Sequence, residues 1–102
     1  MIRHIVLIRF RPEVGEAAIA GIFAALPELA ARLPGVLGFA FGRSESPEKI
    51  ERGYLHGFTV DFADWEALAD YQADPGHKAF GGTLVAHASG GLDGILVFDL
   101  AA

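Results

Sequence analysis

Residues 2–10 read IRHIVLIRF, and this stretch decides the fold because apolar side chains occupy both of its alternating sets. Successive side chains of a β-strand point to opposite faces of a sheet. One face of this strand therefore carries five side chains: Ile2, His4, Val6, Ile8 and Phe10. Ile5 and Leu7 lie at the centre of the other face. The pattern predicts a strand that is covered on both sides and ends before Pro12.

Helical spacing of apolar residues follows over residues 13–33, and Pro34 and Gly35 end that segment. Pro27 lies inside the segment and has no backbone N–H to donate. We therefore expect one long helix with a kink near Phe23.

A second helical region is predicted in two parts, residues 64–73 and residues 75–89. Asp64 and Asp74 are suitable N-caps, and Pro75 fits the first turn of the second part. In the first part the helical spacing predicts three buried side chains: Trp65, Leu68 and Tyr71.

Alternating apolar residues predict three further strands, over residues 36–43, 54–62 and 94–100. The element order is therefore βαββαβ, within a single domain that spans residues 1–102. This order favours an α+β fold of the ferredoxin-like type, in which a four-stranded antiparallel sheet has its helices on one face.

The second face of such a sheet has no helix to cover it. Seven apolar side chains are predicted there: Ile5, Leu7, Leu37, Phe39, Phe41, Leu96 and Phe98. Monomeric proteins rarely expose an apolar patch of that size. We therefore expect a homodimer in which two sheets pack face to face to form an α/β barrel.

The composition excludes several classes of protein. Hydrophobic residues make up 52% of the chain and the net charge is −5, which does not suit nucleic-acid binding because that requires a clustered basic face. There is no cysteine, so no disulfide or thiolate site is possible. No uncharged apolar run approaches the about 18 residues that a membrane span needs, and the N-terminus lacks the apolar core of a signal peptide. We expect a cytoplasmic protein that does not contact membranes.

Strand directions predict that ionisable residues far apart in sequence meet at one end of the sheet. The first strand runs antiparallel to the fourth, so His4 lies near Asp99, and the helix of residues 75–89 begins at the same end with His77 in its first turn. The positive end of the helix dipole disfavours an imidazolium there, so His77 is a candidate general base. Asp99 is a candidate to orient that ring, and Tyr71 is a candidate donor to a developing enolate oxygen.

Apolar side chains of the strands and helices are predicted to form a ligand pocket around these groups: Val6, Ile8, Phe23, Leu26, Phe58, Phe80 and Val97. No cofactor or metal is predicted, because no two of the polar residues have ligand spacing on a single element. Gly81-Gly82-Thr83 lacks the lysine of a phosphate-binding loop. His56 and His87 are expected to be structural or to face solvent.

Three segments resemble the stress-responsive dimeric A/B barrel family: MIRHIVLIRF at residues 1–10, YLHGFTVDF at residues 54–62 and LADYQADPGH at residues 68–77. The resemblance covers essentially the whole chain and implies a homodimeric ferredoxin-like barrel. Some members of that family close a polyketide by an aldol reaction without a cofactor. By that resemblance four residues have roles: His77 as the base, Asp99 as its orienting partner, Tyr71 as a hydrogen-bonding residue and His4 as a pocket wall.

The leading functional hypothesis is a homodimer that binds a small apolar or phenolic ligand and transfers a proton through His77, in a cyclase-like or lyase-like reaction. Two alternatives stay open at this point. One is a non-enzymatic, stress-associated structural protein. The other is a cofactor-independent monooxygenase or isomerase.

Overall fold

The fold is one antiparallel sheet with a layer of helices on one of its faces, and the computed structural model describes residues 1–102. The strands are β1 (Ile2–Ile8), β2 (Val36–Arg43), β3 (His56–Phe62) and β4 (Ile95–Ala101). The helices are α1 (Glu16–Phe23), α2 (Ala25–Arg32), α3 (Trp65–Ala73) and α4 (Pro75–His87), and a short 3₁₀ helix covers Gly91–Gly94. The strand order β2-β3-β1-β4 confirms the ferredoxin-like prediction. None of the helices combines the length and apolar character that crossing a bilayer requires.

Several predicted boundaries differ from the structure. β1 ends at Ile8, although the Arg9 N–H still donates to the Gly94 carbonyl at 2.8 Å and Phe10 forms an isolated bridge with Ala88. β3 begins at His56, two residues later than predicted.

The predicted long helix is two helices, α1 and α2, which meet at Ala24. The break falls beside Phe23, as predicted, because Pro27 has no N–H for the Phe23 carbonyl four residues earlier. The first helix begins at Glu16 rather than at residue 13.

The core lies between the helices and the sheet. It consists of fifteen buried apolar side chains: Ile2, Val6, Ile8, Ile19, Phe23, Leu26, Leu29, Phe58, Val60, Phe62, Leu68, Tyr71, Phe80, Leu84 and Ala88. The Phe58 ring is 5.9 Å from that of Phe23 and 5.4 Å from that of Phe80, so one aromatic side chain of the sheet contacts two helices. The prediction that Trp65 is buried is wrong, because it is the first residue of α3, next to an exposed N-cap, and is 58% exposed.

A β-bulge in β2 changes which side chains lie on the uncovered face. Val36 pairs with Phe62 and Gly38 pairs with Asp61, so Leu37 is an extra residue that shifts the alternation by one position. Phe39 and Phe41 therefore point toward the helices, and the Phe41 ring lies 5.6 Å from the Phe23 ring. Their predicted place on the uncovered face is wrong for this reason.

The uncovered face is divided by side-chain size. Its β1 and β4 half carries large apolar side chains: Ile5, Leu7, Leu96, Phe98 and Leu100. Its β2 and β3 half carries small ones, including Gly38, Ala40, Gly42 and Gly57, beside a cavity of about 620 Å³. Phe98 is 62% exposed and Leu96 is 48% exposed. The face therefore has the apolar area that a partner sheet would cover.

We expect Phe98→Asp to prevent dimerisation, because a carboxylate between two packed sheets would lie buried and unpaired. Sedimentation velocity at micromolar concentration measures the change. Leu92→Asp is the matched control, since Leu92 is 72% exposed but lies in the 3₁₀ helix outside the sheet. A Phe98→Asp chain that sediments as a dimer would contradict the expected interface.

Candidate functional site

His4 and Asp99 form the first polar contact of the candidate site. They are direct partners in the antiparallel register of β1 and β4, and His4 Nδ1 lies 2.5 Å from Asp99 Oδ1. The imidazole is buried on the helix side of the sheet, whereas about a quarter of the carboxylate side chain is exposed. Strand register thus joins Asp99 to His4 rather than to His77, the partner expected from the sequence.

His77 and Tyr71 form the second part of the site. Tyr71 lies near the end of α3, His77 lies in the first turn of α4, and their ring centres are 4.2 Å apart. The Tyr71 ring is also 5.9 Å from the His4 ring in an edge-on arrangement. The structure therefore brings together all four candidate catalytic residues in the spatial order Asp99, His4, Tyr71 and His77.

Burial controls the protonation of this group. It lowers the pKa of His77, the nearby His4 adds to that effect, and the Gln72 backbone and the Asp74 carboxylate oppose it. His77 is therefore neutral at pH 7 and has a lone pair to accept a proton. Burial also raises the pKa of Tyr71, so its hydroxyl stays protonated and can donate a hydrogen bond.

Two polar atoms of the site have no hydrogen-bond partner within the protein. They are the Tyr71 hydroxyl and His77 Nδ1, and both are inaccessible to solvent. Burying a polar group without a partner costs about 1–3 kcal/mol, so such groups are rare in folded proteins. The two atoms belong to neighbouring rings and offer hydrogen-bonding positions that the rest of the chain does not use.

The first turn of α4, which carries His77, is held from both sides. The Asp74 side chain caps the helix by accepting from the His77 backbone N–H at 3.1 Å. Arg32 of α2 donates two hydrogen bonds of 2.9 Å to the same carboxylate, and this contact lowers the pKa of Asp74 to about 2. A Cβ atom at Gly76 would lie 2.5 Å from Arg32 Nη2, so a larger residue there would displace the Arg32 guanidinium.

Most of the predicted pocket residues are tightly packed members of the hydrophobic core. Six of them are at most 4% exposed: Val6, Ile8, Phe23, Leu26, Phe58 and Phe80. Val97 is on the helix side of β4 but is 58% exposed, because the helices do not extend over that edge strand. A groove of about 400 Å³ between α1 and α4 is lined by Phe80 and by Gly76, the neighbour of His77.

A second polar cluster, Glu16, Arg43 and His56, was not found from the sequence. His56 is 7% exposed, and its Nε2 lies 2.9 and 3.0 Å from the two carboxylate oxygens of Glu16. Arg43 Nη1 donates to Glu16 Oε1 at 2.7 Å. Arg43 and His56 are register partners in β2 and β3, which hairpin pairing could have indicated. Nothing in the sequence spacing points to Glu16.

Comparisons with known proteins identify relatives of this chain. The family described as Stress responsive A/B Barrel Domain matches residues 2–102. The stress-response A/B barrel domain-containing protein HS1 of Arabidopsis thaliana is 30% identical over 98 residues, covering 96% of this chain and 86% of that protein. Olivetolic acid cyclase of Cannabis sativa is 28% identical over 80 residues, covering 78% of this chain and 79% of the cyclase.

A solved structure also has nearly the same backbone. It is a dimeric ferredoxin-like protein of unknown function from Jannaschia sp. CCS1, with a TM-score of 0.92 and 37% sequence identity. The alignment covers 99% of this chain and 98% of that chain. The predicted fold and family resemblance are therefore confirmed.

We expect the lowered pKa of His77 to make the folded state lose stability in acid. The stabilising contribution of neutral His77 is complete above its ordinary pKa of 6.5 and is lost as the pH falls through the lower folded value, because the unfolded chain then binds more protons. Chemical denaturation of wild type and His77→Gln below pH 6.5 measures the difference, and the variant should show the shallower loss. His87→Gln serves as the control, since it makes the same exchange at another histidine of α4, whose ring is hydrogen-bonded to the Thr83 carbonyl. Equal slopes in wild type and His77→Gln would contradict the expectation.

Tyr71→Phe should leave the free energy of unfolding unchanged or raise it by about 1 kcal/mol, because it removes a buried hydroxyl that has no protein partner. Urea unfolding measures this value. Tyr54→Phe is the comparison, and it should give no gain because its hydroxyl donates to the Asp93 carbonyl at 3.4 Å. A loss of more than about 1 kcal/mol in Tyr71→Phe would mean that the hydroxyl is satisfied in solution.

Proposed function

This chain belongs to the stress-responsive A/B barrel domain family, and from that premise we propose that it is a homodimeric protein that binds a small apolar or phenolic molecule and transfers a proton without a cofactor. In this proposal His77 is the base. The dimer is supported by the apolar uncovered face and by the dimeric neighbour, and the ligand class by the apolar surroundings of the polar group.

One observation carries the catalytic part of the proposal. His77 Nδ1 and the Tyr71 hydroxyl are both buried without a protein partner, and they belong to rings whose centres are 4.2 Å apart. A neutral imidazole can act as the base and a protonated phenol as the hydrogen-bond donor when a proton is abstracted next to a carbonyl.

The proton-transfer step follows from that pairing. His77 accepts a proton from the carbon next to the ligand carbonyl, the C–H electron pair moves into the enolate, and Tyr71 donates a hydrogen bond to the enolate oxygen. The imidazolium then returns the proton to the carbon or to an oxygen of the product. His4, which Asp99 orients, supports the Tyr71 ring edge-on and is a positioning residue in this scheme. The printed name of the Cannabis relative, a cyclase, is compatible with such a step.

A second candidate function is a non-catalytic role in the stress response, which the printed name of the Arabidopsis relative suggests. The observation in its favour is the close packing of the predicted pocket residues, six of which are at most 4% exposed. In that case the polar group contributes to structure alone. The following experiment separates the two candidates.

The test uses acetophenone, a small aromatic ketone whose α-protons exchange slowly in D2O at neutral pH. We expect the wild-type protein to accelerate the α-deuteration measured by NMR, and His77→Gln to lower the protein-dependent rate by about 10²–10⁴-fold, the usual contribution of a general base. Tyr71→Phe should lower it by about 10²-fold or more, as loss of an oxyanion donor does. The rate should rise with pH through the lowered pKa of His77 and level off near pH 7.

His87→Gln is the control, because His87 is hydrogen-bonded to its own helix and lies outside the site. It should exchange at the wild-type rate. Equal rates in wild type and His77→Gln eliminate His77 as the base, and the absence of any protein-dependent exchange favours the non-catalytic candidate.

A further inference from the structure

We propose that Glu16, Arg43 and His56 form a second binding site, which takes small aromatic or aliphatic carboxylates. The carboxylate of such a ligand replaces that of Glu16, and its apolar part enters the adjoining cavities. This site is separate from the His77 site and does not rest on the function proposed above.

Two hydrogen-bond donors, from His56 and Arg43, converge on the carboxylate of Glu16. His56 Nε2 contacts both oxygens of Glu16, at 2.9 and 3.0 Å, and Arg43 Nη1 contacts one of them at 2.7 Å. These hydrogen bonds lower the pKa of Glu16, so the group that the two donors hold is an anion. A guanidinium and an imidazole arranged in this way recognise a carboxylate whichever molecule supplies it.

A ligand can displace the Glu16 carboxylate from His56 and Arg43 into solvent. Glu16 is the first residue of α1 and its side chain is 61% exposed, so water can solvate it after displacement. Surface ion pairs contribute little net stability, and the one between Arg43 and Glu16 is of that kind. His56 differs, because its side chain is buried.

The space beside the cluster can hold the apolar part of a ligand. Two cavities, of about 260 and 160 Å³, share four lining residues: Glu16, Ile19, Arg43 and His56. The smaller cavity is closed by the rings of Phe23 and Phe41, and the larger one is lined by Phe10. Ligand sites of this kind combine apolar walls with a few convergent polar groups. Arg11 also lines the larger cavity, where its guanidinium donates to the Glu13 carboxylate and to the Ala86 carbonyl.

The site is distant from the His77 group. His56 pairs with Ile8 and His4 lies four positions earlier in β1, which corresponds to about 13 Å along the strand. A ligand carboxylate at His56 is therefore out of reach of Tyr71 and His77. The effect of a substitution at one site can therefore be measured without a change in ligand contacts at the other.

The test measures binding of benzoate and hexanoate by isothermal titration calorimetry and NMR at pH 7. Glu16→Gln removes the internal carboxylate, so we expect benzoate to bind about tenfold more tightly than to wild type. Arg43→Met should weaken binding about tenfold or more. These opposite effects are expected only if the Glu16 carboxylate competes with benzoate for His56 and Arg43. If Glu16 had only a structural role, its replacement would weaken benzoate binding.

Glu28→Gln and Lys78→Met are the matched controls, because they make the same charge changes at exposed positions on α2 and α4, away from the cluster. They should bind benzoate as wild type does, and so should His77→Gln. Benzamide, which has the same ring without the charge, should bind weakly and gain nothing from Glu16→Gln. In wild type, saturating benzoate should shift the His56 ring resonances.

Three results would overturn the proposal: no saturable benzoate binding to Glu16→Gln, equal or weaker binding to that variant than to wild type, or equal affinity for benzamide and benzoate. Circular dichroism of each variant checks the fold. If Glu16→Gln does not fold, Glu16→Ala takes its place under the same criteria. If His77→Gln loses the acetophenone reaction but binds benzoate with the wild-type affinity, the two sites act independently.

Discussion

The central strand β1 is the constraint on which the rest of the structure depends. It pairs along its whole length with β3 on one side and β4 on the other, so its register fixes both neighbours. The four side chains that it directs at the helices are all buried, and three of them are aliphatic. The fourth, His4, requires a polar partner in that layer, and the β4 register supplies Asp99. The same strand therefore aligns the sheet and provides the first polar contact of the candidate site.

Much of the fold could be predicted from short-range signals in the sequence. The N-caps Asp64 and Asp74 act locally, and each accepts the backbone hydrogen bond that its position implies. The bulge at Leu37 could not be predicted, because the apolar alternation of β2 continues through it without interruption. Only the pairing with β3 shows that Phe39 and Phe41 lie on the opposite face from the one that simple alternation gives.

For the candidate site, too, element order predicts which residues lie close together, but the strand register decides which of them are in contact. Strand and helix directions indicate that His4, His77 and Asp99 lie at one end of the sheet, because these directions depend only on element order. Which imidazole the carboxylate contacts depends on a register that is accurate to one residue, and the sequence does not contain it. The Glu16, Arg43 and His56 cluster joins the first turn of α1 to β2 and β3, and no short-range signal in the sequence specifies that contact between separate elements.

The unequal halves of the uncovered face limit how two such sheets can meet. Large side chains over large ones would separate the sheets, and small over small would leave a void, so close packing at about 10 Å requires large over small. A two-fold axis parallel to the strands produces that match, because it places β4 of one copy above β2 of the other. An axis across the strands would set each half against its own copy. The positions of these small and large side chains thus favour the two-fold axis parallel to the strands. By the same reasoning they disfavour pairing with a sheet of another protein whose face lacks a matching arrangement of small and large side chains.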